Sequence, residues 1–433
     1  MNETIVGVVI LFLLLALFLT GIELAFAMGL MGFIGYAMLV SFAGAGDLVA
    51  KVFFDSLSSY GLAVVPLFVL MGQVAYNAGV ANRLYGSAHK FMGHIPGGLA
   101  IATVAGASAF KSICGSFTAT VATFASVAVP EMDRYGYNRK LSAGVVAIVG
   151  TLGGLIPPST ILIILGLLTQ QSIGKLFLAG LIPGLMIALC FVGIIIGWCR
   201  ANPALAPKSE RFPLKEKLTS LYGVVWPLVI FIVIVGGLIA GVFTPTEAGS
   251  IGAFAVIFLT VVTKDLNGEK FKRSITESLV TACMVLMLVA GSSILGACIT
   301  VTNIPILAAD WAVQLPVHRH FVMVLICLIY LIGGSFIDDL AFMILATPIL
   351  FPAITKLGYD PIWAGIMISI TIMIGSVIPP MAMAVFIVKN ITKIEIATIY
   401  RGVYPFLIGL VLVGVLLFFF PGLATWLPNI LMR

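Results

Sequence analysis

Two Pro-Pro pairs inside apolar runs constrain this chain more than any other feature. "GTLGGLIPPST" covers residues 150–160 and "IGSVIPPMA" covers residues 374–382. Proline has no backbone N–H and its ring clashes with the preceding turn, so an α-helix cannot pass through either pair. Pro157 and Pro158 withhold donors from the carbonyls of Gly153 and Gly154, and Pro379 and Pro380 withhold them from Gly375 and Ser376. In hydrocarbon each orphaned carbonyl costs several kcal/mol, so both breaks must face protein, water or an ion.

Hydrocarbon is the relevant solvent. Only 9% of residues are charged, 61% are apolar, and the mean hydropathy is +1.19; an ordinary soluble chain is about 25% charged. The excess of 23 Lys and Arg over 17 Asp and Glu is therefore read as membrane orientation and not as nucleic-acid binding. The six cysteines lie in or at the ends of apolar segments without a CxxC pair, which predicts reduced packing residues. The first apolar run lacks a basic flank, so residues 4–20 are expected to be a retained span and not a signal peptide.

The Pro-Pro pairs belong to an internal repeat. "GSF" at 115–117 returns at 334–336, "GY" at 136–137 returns at 358–359, and "IPP" at 156–158 returns at 378–380. Gly21, Gly29 and Gly32 return as Gly241, Gly249 and Gly252, and Gly180 and Pro183 as Gly402 and Pro405. This ordered series implies duplication. The spans expected in the first copy are 4–20, 24–43, 57–79, 97–113, 115–130, 139–168 and 176–199. In the second they are 222–240, 246–263, 276–299, 319–333, 335–353, 361–388 and 398–420. A crossing needs about 20 apolar residues. The pairs within 97–130 and 319–353 are short and joined at Gly-containing polar tips, so each reads as a re-entrant hairpin. The expected fold is an all-α polytopic membrane protein of two inverted repeats. Each has five crossings, one hairpin and one broken helix (139–168 and 361–388). The repeats cover 1–199 and 222–433, with a cytoplasmic linker at 200–221.

Charge placement agrees with that topology. With the linker inside, 17 of the 23 basic residues fall on the inner face and 5 on the outer, while Lys111 lies in a hairpin. Both termini are then periplasmic. Residues 80–94 place Val80, Leu84, Tyr85, Ala88, Phe91 and Met92 at helical spacing among polar residues, which reads as an interfacial helix or else an ordinary polar loop. Residues 300–318 are a weaker counterpart.

Inverted repeats with paired broken helices point to a secondary transporter. The hairpin tips "KSICGSFTAT" (111–120) and "GGSFIDDLA" (333–341) offer hydroxyl, carbonyl and carboxylate oxygens, which suit a hard cation such as Na+. A tip against a break makes a candidate Na+ site in each copy; the alternative is a kink used only for packing. Asp338 and Asp339 are intramembrane acids, functional by default, although either can instead cap the helix that follows. Lys111 either attracts an anion or snorkels. Glu247 reads as an N-terminal cap, and "HRH" at 318–320 as interfacial polarity in preference to a metal site.

"GSFTAT…GY…GGLIPPS" and "GSFIDD…PILFP…GY…IGSVIPP", with "TPTEAG" before span eight, resemble the large membrane (M, DctM-like) subunit of tripartite ATP-independent periplasmic (TRAP) transporters over essentially the whole chain. The resemblance implies Na+-driven, elevator-type uptake of an organic anion, often a C4-dicarboxylate or sialic acid, across the bacterial inner membrane. It implies two partners, a small membrane subunit (Q-type) and a periplasmic substrate-binding protein (P-type), with no organic cofactor and no metal other than sodium. Carried over by position, the first Na+ site comprises Ser112, Gly115, Ser116, Gly153, Ile156 and Pro158. The second comprises Gly333, Gly334, Asp338, Gly375, Ile378 and Met381. The anion is expected near Ser116, Thr118, Thr120, Pro157, Ser159, Ser335, Pro379 and Pro380. The chain departs from the family pattern at Ala382, where glycine is frequent, and at Ser369 or Thr371, in the region of a frequent asparagine. Its start at the first repeat implies that no small subunit is fused to it.

The nearest alternative is a stand-alone Na+/carboxylate symporter of the same wider class. An intramembrane aspartyl protease needs two carboxylates converging from different helices, and the sequence offers no second deep acid outside 338–339, nor an HExxH or GxSxG motif. A channel is disfavoured by the lack of a ring-forming filter signal.

Overall fold

The computed structural model describes residues 3–18, 20–207, 211–380 and 382–432, and the regular structure among them is entirely helical. The chain begins with Glu3–Phe18, Leu24–Leu39, Phe42–Ser58 and Val64–Asn77, then bends by 63° into Val80–Met92. The first hairpin is Gly98–Cys114 and Phe117–Arg134. Arg139–Val149 follows, tightens into a 3-10 turn over Gly150–Gly154, breaks, and resumes as Thr160–Thr169 before Ile173–Ala201. Short helices at Pro203–Leu205 and Leu214–Ser220 lead to the second half.

That half repeats the order: Tyr222–Ile239, Pro245–Val262, Gly268–Val301, Ile304–Gln314, the hairpin Arg319–Phe336 and Asp339–Lys356, then Pro361–Gly375, a break, Met383–Thr392 and Ile396–Phe419. Gly422–Leu431 ends it. Among the described residues, seven helices are long and apolar enough to cross a membrane, or eight if the bent pair counts as one span. The chain is thus an all-helical polytopic membrane protein built from two inverted repeats.

Local chemistry explains many of the helix ends. Ser41, Asn138, Asn267 and Asp360 each accept an amide from the first turn of the helix they precede. Thr244 and Glu247 form a reciprocal capping box, with the Thr244 amide donating to Glu247 Oε2 at 2.8 Å. Glu247 therefore takes part in the N-terminal cap that its position implies, with Thr244 as the N-cap residue itself. Gly115, at φ +62°, ends the first hairpin arm in the left-handed region that favours glycine.

Two elements escape the hydropathy reading. Phe42–Ser58 carries Asp47, Lys51 and Asp55 among its apolar residues, so it shows no continuous apolar run; it buries only Ala45 and Ser56. Gly422–Leu431 lies beyond the last expected span and packs on Ile173–Ala201. The second hairpin arms are 18 residues each, longer than their apolar cores. Contrary to the shortness expected of them, both are long and apolar enough to cross a membrane, and a turn of only Ile337 and Asp338 joins them. Val80–Met92 is a helix, as its spacing implies: it buries Val80, Ala81, Leu84 and Tyr85, while Arg83 pairs with Asp265 at 2.7 Å and Ser87 donates to the Ser220 carbonyl.

The two copies interlock through glycine. Leu24–Leu39 packs on Gly268–Val301 so closely that a Cβ on Gly32 would lie 2.6 Å from the Leu295 amide nitrogen. The symmetry-related contact sets Pro245–Val262 on Val64–Asn77, with Gly252 facing Met71. Arg139–Val149 meets Ile396–Phe419 at Gly144 and Gly402, and Pro361–Gly375 meets Ile173–Ala201 at Gly365 and Leu176. Each contact joins one copy to the other, and small residues are what permit helices to approach this closely in lipid.

Candidate functional site

Each hairpin tip lies on the break of its own copy. In the first, a Cβ on Gly115 would stand 2.9 Å from the Pro158 carbonyl oxygen, and Thr160 Oγ1 donates to the Gly115 carbonyl at 3.3 Å. Ser116 caps the outgoing hairpin arm by accepting from the Ala119 amide at 3.3 Å, and Ser159 caps the second half of the broken helix by accepting from Leu162. In the second copy, a Cβ on Gly334 would lie 3.1 Å from the Ile372 carbonyl oxygen, and one on Gly375 would lie 3.0 Å from the Gly334 carbonyl carbon. Asp338 caps its arm, its Oδ1 accepting from the Ala341 amide at 3.1 Å. The peptide bonds Pro157–Pro158 and Pro379–Pro380 are both cis.

The breaks differ in their loose carbonyls. The Ile156 amide donates to Leu152 O at 2.9 Å, so the carbonyls of Gly153 and Gly154 receive no amide from the residues that follow. In the second copy the Ile378 amide reaches Gly375 O at 3.1 Å. The Gly375 carbonyl is thus not orphaned, contrary to expectation, because the chain tightens into a turn before the prolines. Ser376 alone keeps the predicted vacancy of a ladder donor. The first break is buried, whereas Pro379 and Pro380 are exposed. Ser159 caps one break, but Ala382 begins the other without a side-chain oxygen.

The predicted polar residues divide into two groups. Ser112, Thr120 and Ser335 donate their protons to Ala109, Ser116 and Ile332 carbonyls within their own arms, at 2.6, 3.0 and 2.7 Å. Thr120, Ser159 and Ser335 are buried. Ser116 and Thr118, by contrast, line a cavity of about 340 Å³ between the first tip and the surrounding helices. Gln73, Tyr76, Arg273, Glu277 and Ile387 close its other sides. Arg273 pairs with Glu277 at 2.7 Å, and Glu277 also accepts from Asn77 at 3.1 Å. A smaller cavity of about 120 Å³ lies at the second tip, lined by Gly334, Asp338, Asp339 and Ser376. The expected anion residues therefore do not form one pocket. Met381 lies outside the described residues.

Arg273, Gln73 and Tyr76 had no signal at the level of sequence. Arg273 reads as one more basic residue at the foot of a span, and only packing brings it opposite Thr118.

Lys111 and Asp339 resolve two open alternatives. Lys111 is fully buried and does not snorkel; its chain runs along Gly153, and its Nζ has no hydrogen-bond partner among the described residues. Asp339 accepts from the Leu340 amide through Oδ1, while its Oδ2 is buried without a partner. Capping thus falls to Asp338. His320 Nδ1 bonds Tyr359 OH at 2.7 Å, and no group of three or more His, Cys, Asp or Glu residues able to hold a metal occurs among the described residues. All six cysteines are free.

Comparison with known proteins agrees with this architecture. Residues 10–423 match the family described as "Tripartite ATP-independent periplasmic transporter, DctM component". The C4-dicarboxylate TRAP transporter large permease protein DctM of Pseudomonas aeruginosa is 33% identical over 87% of this chain and 88% of its own. The sialic acid TRAP transporter large permease protein SiaM of Vibrio cholerae is 31% identical over 92% of this chain and 93% of its own. The crystal structure of the Alcanivorax borkumensis YdaH transporter shares the fold, with a TM-score of 0.63 at 14% identity, covering 98% of each chain.

Proposed function

The chain belongs to the DctM-component family of tripartite ATP-independent periplasmic transporters, and on that premise we propose that it drives Na+-coupled uptake of a small organic anion across the bacterial inner membrane. The family's large permeases work with a small membrane subunit and a periplasmic binding protein, and this chain takes the same two partners. A C4-dicarboxylate, a sialic acid or a related carboxylate is the substrate class, by analogy with the relatives. Both termini are periplasmic, in line with the inner-face excess of basic residues.

The observation that carries this reading is the cavity where Ser116 and Thr118 of the first tip face Gln73 and Arg273. Hydroxyl donors and a guanidinium are the groups that hold a carboxylate. Arg273 is already paired with Glu277, so it releases part of its charge to an anion only as that pair rearranges. Two cation positions flank the anion, one at each tip-on-break contact. The first is Ser112, Gly115, Ser116, Gly153, Ile156 and Pro158; the second is Gly333, Gly334, Asp338, Gly375 and Ile378, with Met381. At the second, the Asp338 carboxylate and nearby carbonyls are the hard oxygens Na+ requires.

Hairpins and broken helices move together against a scaffold made of the first three spans of each copy and the interfacial arms, carrying anion and cation across. Each Na+ entering down a membrane potential of 100 mV supplies about 2.3 kcal/mol, and a tenfold gradient adds about 1.4 kcal/mol. Uptake into proteoliposomes containing this chain and its small subunit tests the proposal. Several carboxylates and sialic acid are offered with and without an inward Na+ gradient and with and without the binding protein. Uptake that needs both is the expected result. Uptake without the binding protein identifies a stand-alone symporter, and uptake indifferent to Na+ refutes the coupling.

A further inference from the structure

A third cavity, of about 330 Å³, shares no lining residue with the two at the hairpin tips. It lies between the arm helix Val80–Met92, the short helix Leu214–Ser220 and the foot of Tyr222–Ile239. Its walls are fastened together. A Cβ on Gly223 would stand 3.3 Å from Arg83 Cβ, and Ser87 donates to the Ser220 carbonyl at 2.7 Å. Gly86 faces the space, and a Cβ there would meet nothing within 4 Å. Two cations line it. Arg83 is matched by Asp265, which also accepts from the Thr263 hydroxyl. Lys90 has no ion-pair partner among the described residues, so the lining keeps an excess of positive charge.

This basic cavity runs into an apolar groove of about 380 Å³ between Tyr222–Ile239 and Pro245–Val262. Tyr222, Trp226, Leu259 and Thr263 line both, so the two form one continuous depression. The groove extends from Tyr222 to Ile234 on one helix and from Thr263 back to Ile251 on the other, about 18 Å at the helical rise. One leaflet of hydrocarbon is about 15 Å thick. Phe254 and Phe258, stacked at 6.2 Å between ring centres, form part of its exposed wall. Tyr222 and Trp226 mark the junction, and such rings favour the level where headgroups meet hydrocarbon. The polar end lies at the basic-rich end of the bundle, where Lys270 also donates to the Asp265 carbonyl at 2.9 Å. A soluble anion has no use for the groove, and an apolar molecule has no use for Lys90. An anionic amphiphile uses both, as basic pockets beside membrane helices do with lipid headgroups.

We infer that this depression binds one anionic phospholipid, with its phosphate beside Lys90 and Arg83 and one acyl chain along the groove. A zwitterionic lipid brings its own ammonium towards Lys90 and is held less firmly, because like charges repel. The lipid bridges the arm helix to Tyr222–Ile239, and the arm helix in turn packs on the hairpin arm Gly98–Cys114. The inference is independent of which ion or substrate the chain carries.

Native mass spectrometry of the purified chain with its small subunit, released from micelles holding equimolar phosphatidylglycerol and phosphatidylethanolamine, tests this directly. Wild type is expected to retain one phosphatidylglycerol with a preference of about fivefold, the factor that one lysine contributes near an anionic surface. Lys90→Gln should lose the preference and Lys90→Arg should keep it. Gly86→Phe, which fills the basic cavity, and Ala255→Phe, which fills the groove, should each lose the retained lipid. Equal retention of the two lipids by wild type overturns the inference whatever the variants do. A preference that survives both Lys90→Gln and Gly86→Phe puts the lipid elsewhere and also overturns it. Loss in Gly86→Phe with none in Ala255→Phe identifies a phosphate site that holds no acyl chain, which overturns the lipid reading. Because the wild-type comparison is decisive by itself, a variant that fails to fold does not rescue the inference.

Discussion

Gly144 of the first copy and Gly402 of the second touch backbone to backbone. A Cβ on Gly402 would overlap the Lys140 carbonyl oxygen, and one on Gly144 would overlap the Gly402 carbonyl. This contact clamps the helix leading into the first break against the last long helix of the other copy. It ties the first broken helix directly to the second repeat.

Gly402→Ala should destabilise the protein by about 1–3 kcal/mol, since the obstructing atoms are backbone and cannot swing aside. Gly236→Ala, where nothing lies within 4 Å, should be neutral or gain up to about 1 kcal/mol from helix propensity. Thermal unfolding of the purified protein compares the two. Equal midpoints would mean that the helices separate at no cost.

Asp338 has two separable roles. Its Oδ1 caps the outgoing arm of the second hairpin, and Asn serves in that role as well as Asp. Asp338→Asn should keep its unfolding midpoint while losing at least tenfold in apparent Na+ affinity for uptake. Asp338→Ala should additionally lose about 1 kcal/mol of stability with the cap. An Asn variant with unchanged Na+ dependence would remove the carboxylate from the cation site.

Thr118 is exposed in the cavity opposite Arg273, a residue of the basic-rich face. In a background free of the six native cysteines, Thr118→Cys should react with an impermeant maleimide from the cytoplasmic side and poorly from the other. Preferential labelling from the periplasm would reverse the direction in which this conformation opens.

His89, in the helix that follows the 63° bend, lies edge-on to Tyr135 and Phe212 at ring-centre distances of 5.3 and 5.4 Å. Burial lowers its affinity for a proton below the ordinary 6.5. The folded state therefore prefers the neutral ring. Its contribution to stability is complete above about pH 6.5 and is lost as pH falls through the lower folded value. The unfolding midpoint should decline on acidification below pH 6.5 less steeply in His89→Gln than in wild type. Parallel slopes would place the acid sensitivity elsewhere.

Much of the architecture is legible in the residues because lipid leaves few options. An apolar run must be a helix, a Pro-Pro pair must break it, and a repeated order of motifs must give two related halves. Gly115, Ser116 and Asp338 declare a tip because their backbone and capping chemistry is local. Phe42–Ser58 is invisible to hydropathy because its acids and lysine interrupt the apolar pattern. Arg273 opposite Thr118, Ile378 satisfying Gly375, and Lys111 covering Gly153 depend on which side chains meet across the bundle. Sequence by itself determined the long apolar helices, their two breaks and the duplication, since these follow from the donors and apolar surface that each segment carries. Tertiary packing alone decided that one break faces an amine and the other a carboxylate, because side chains distant along the chain converge only when helices from both copies interlock.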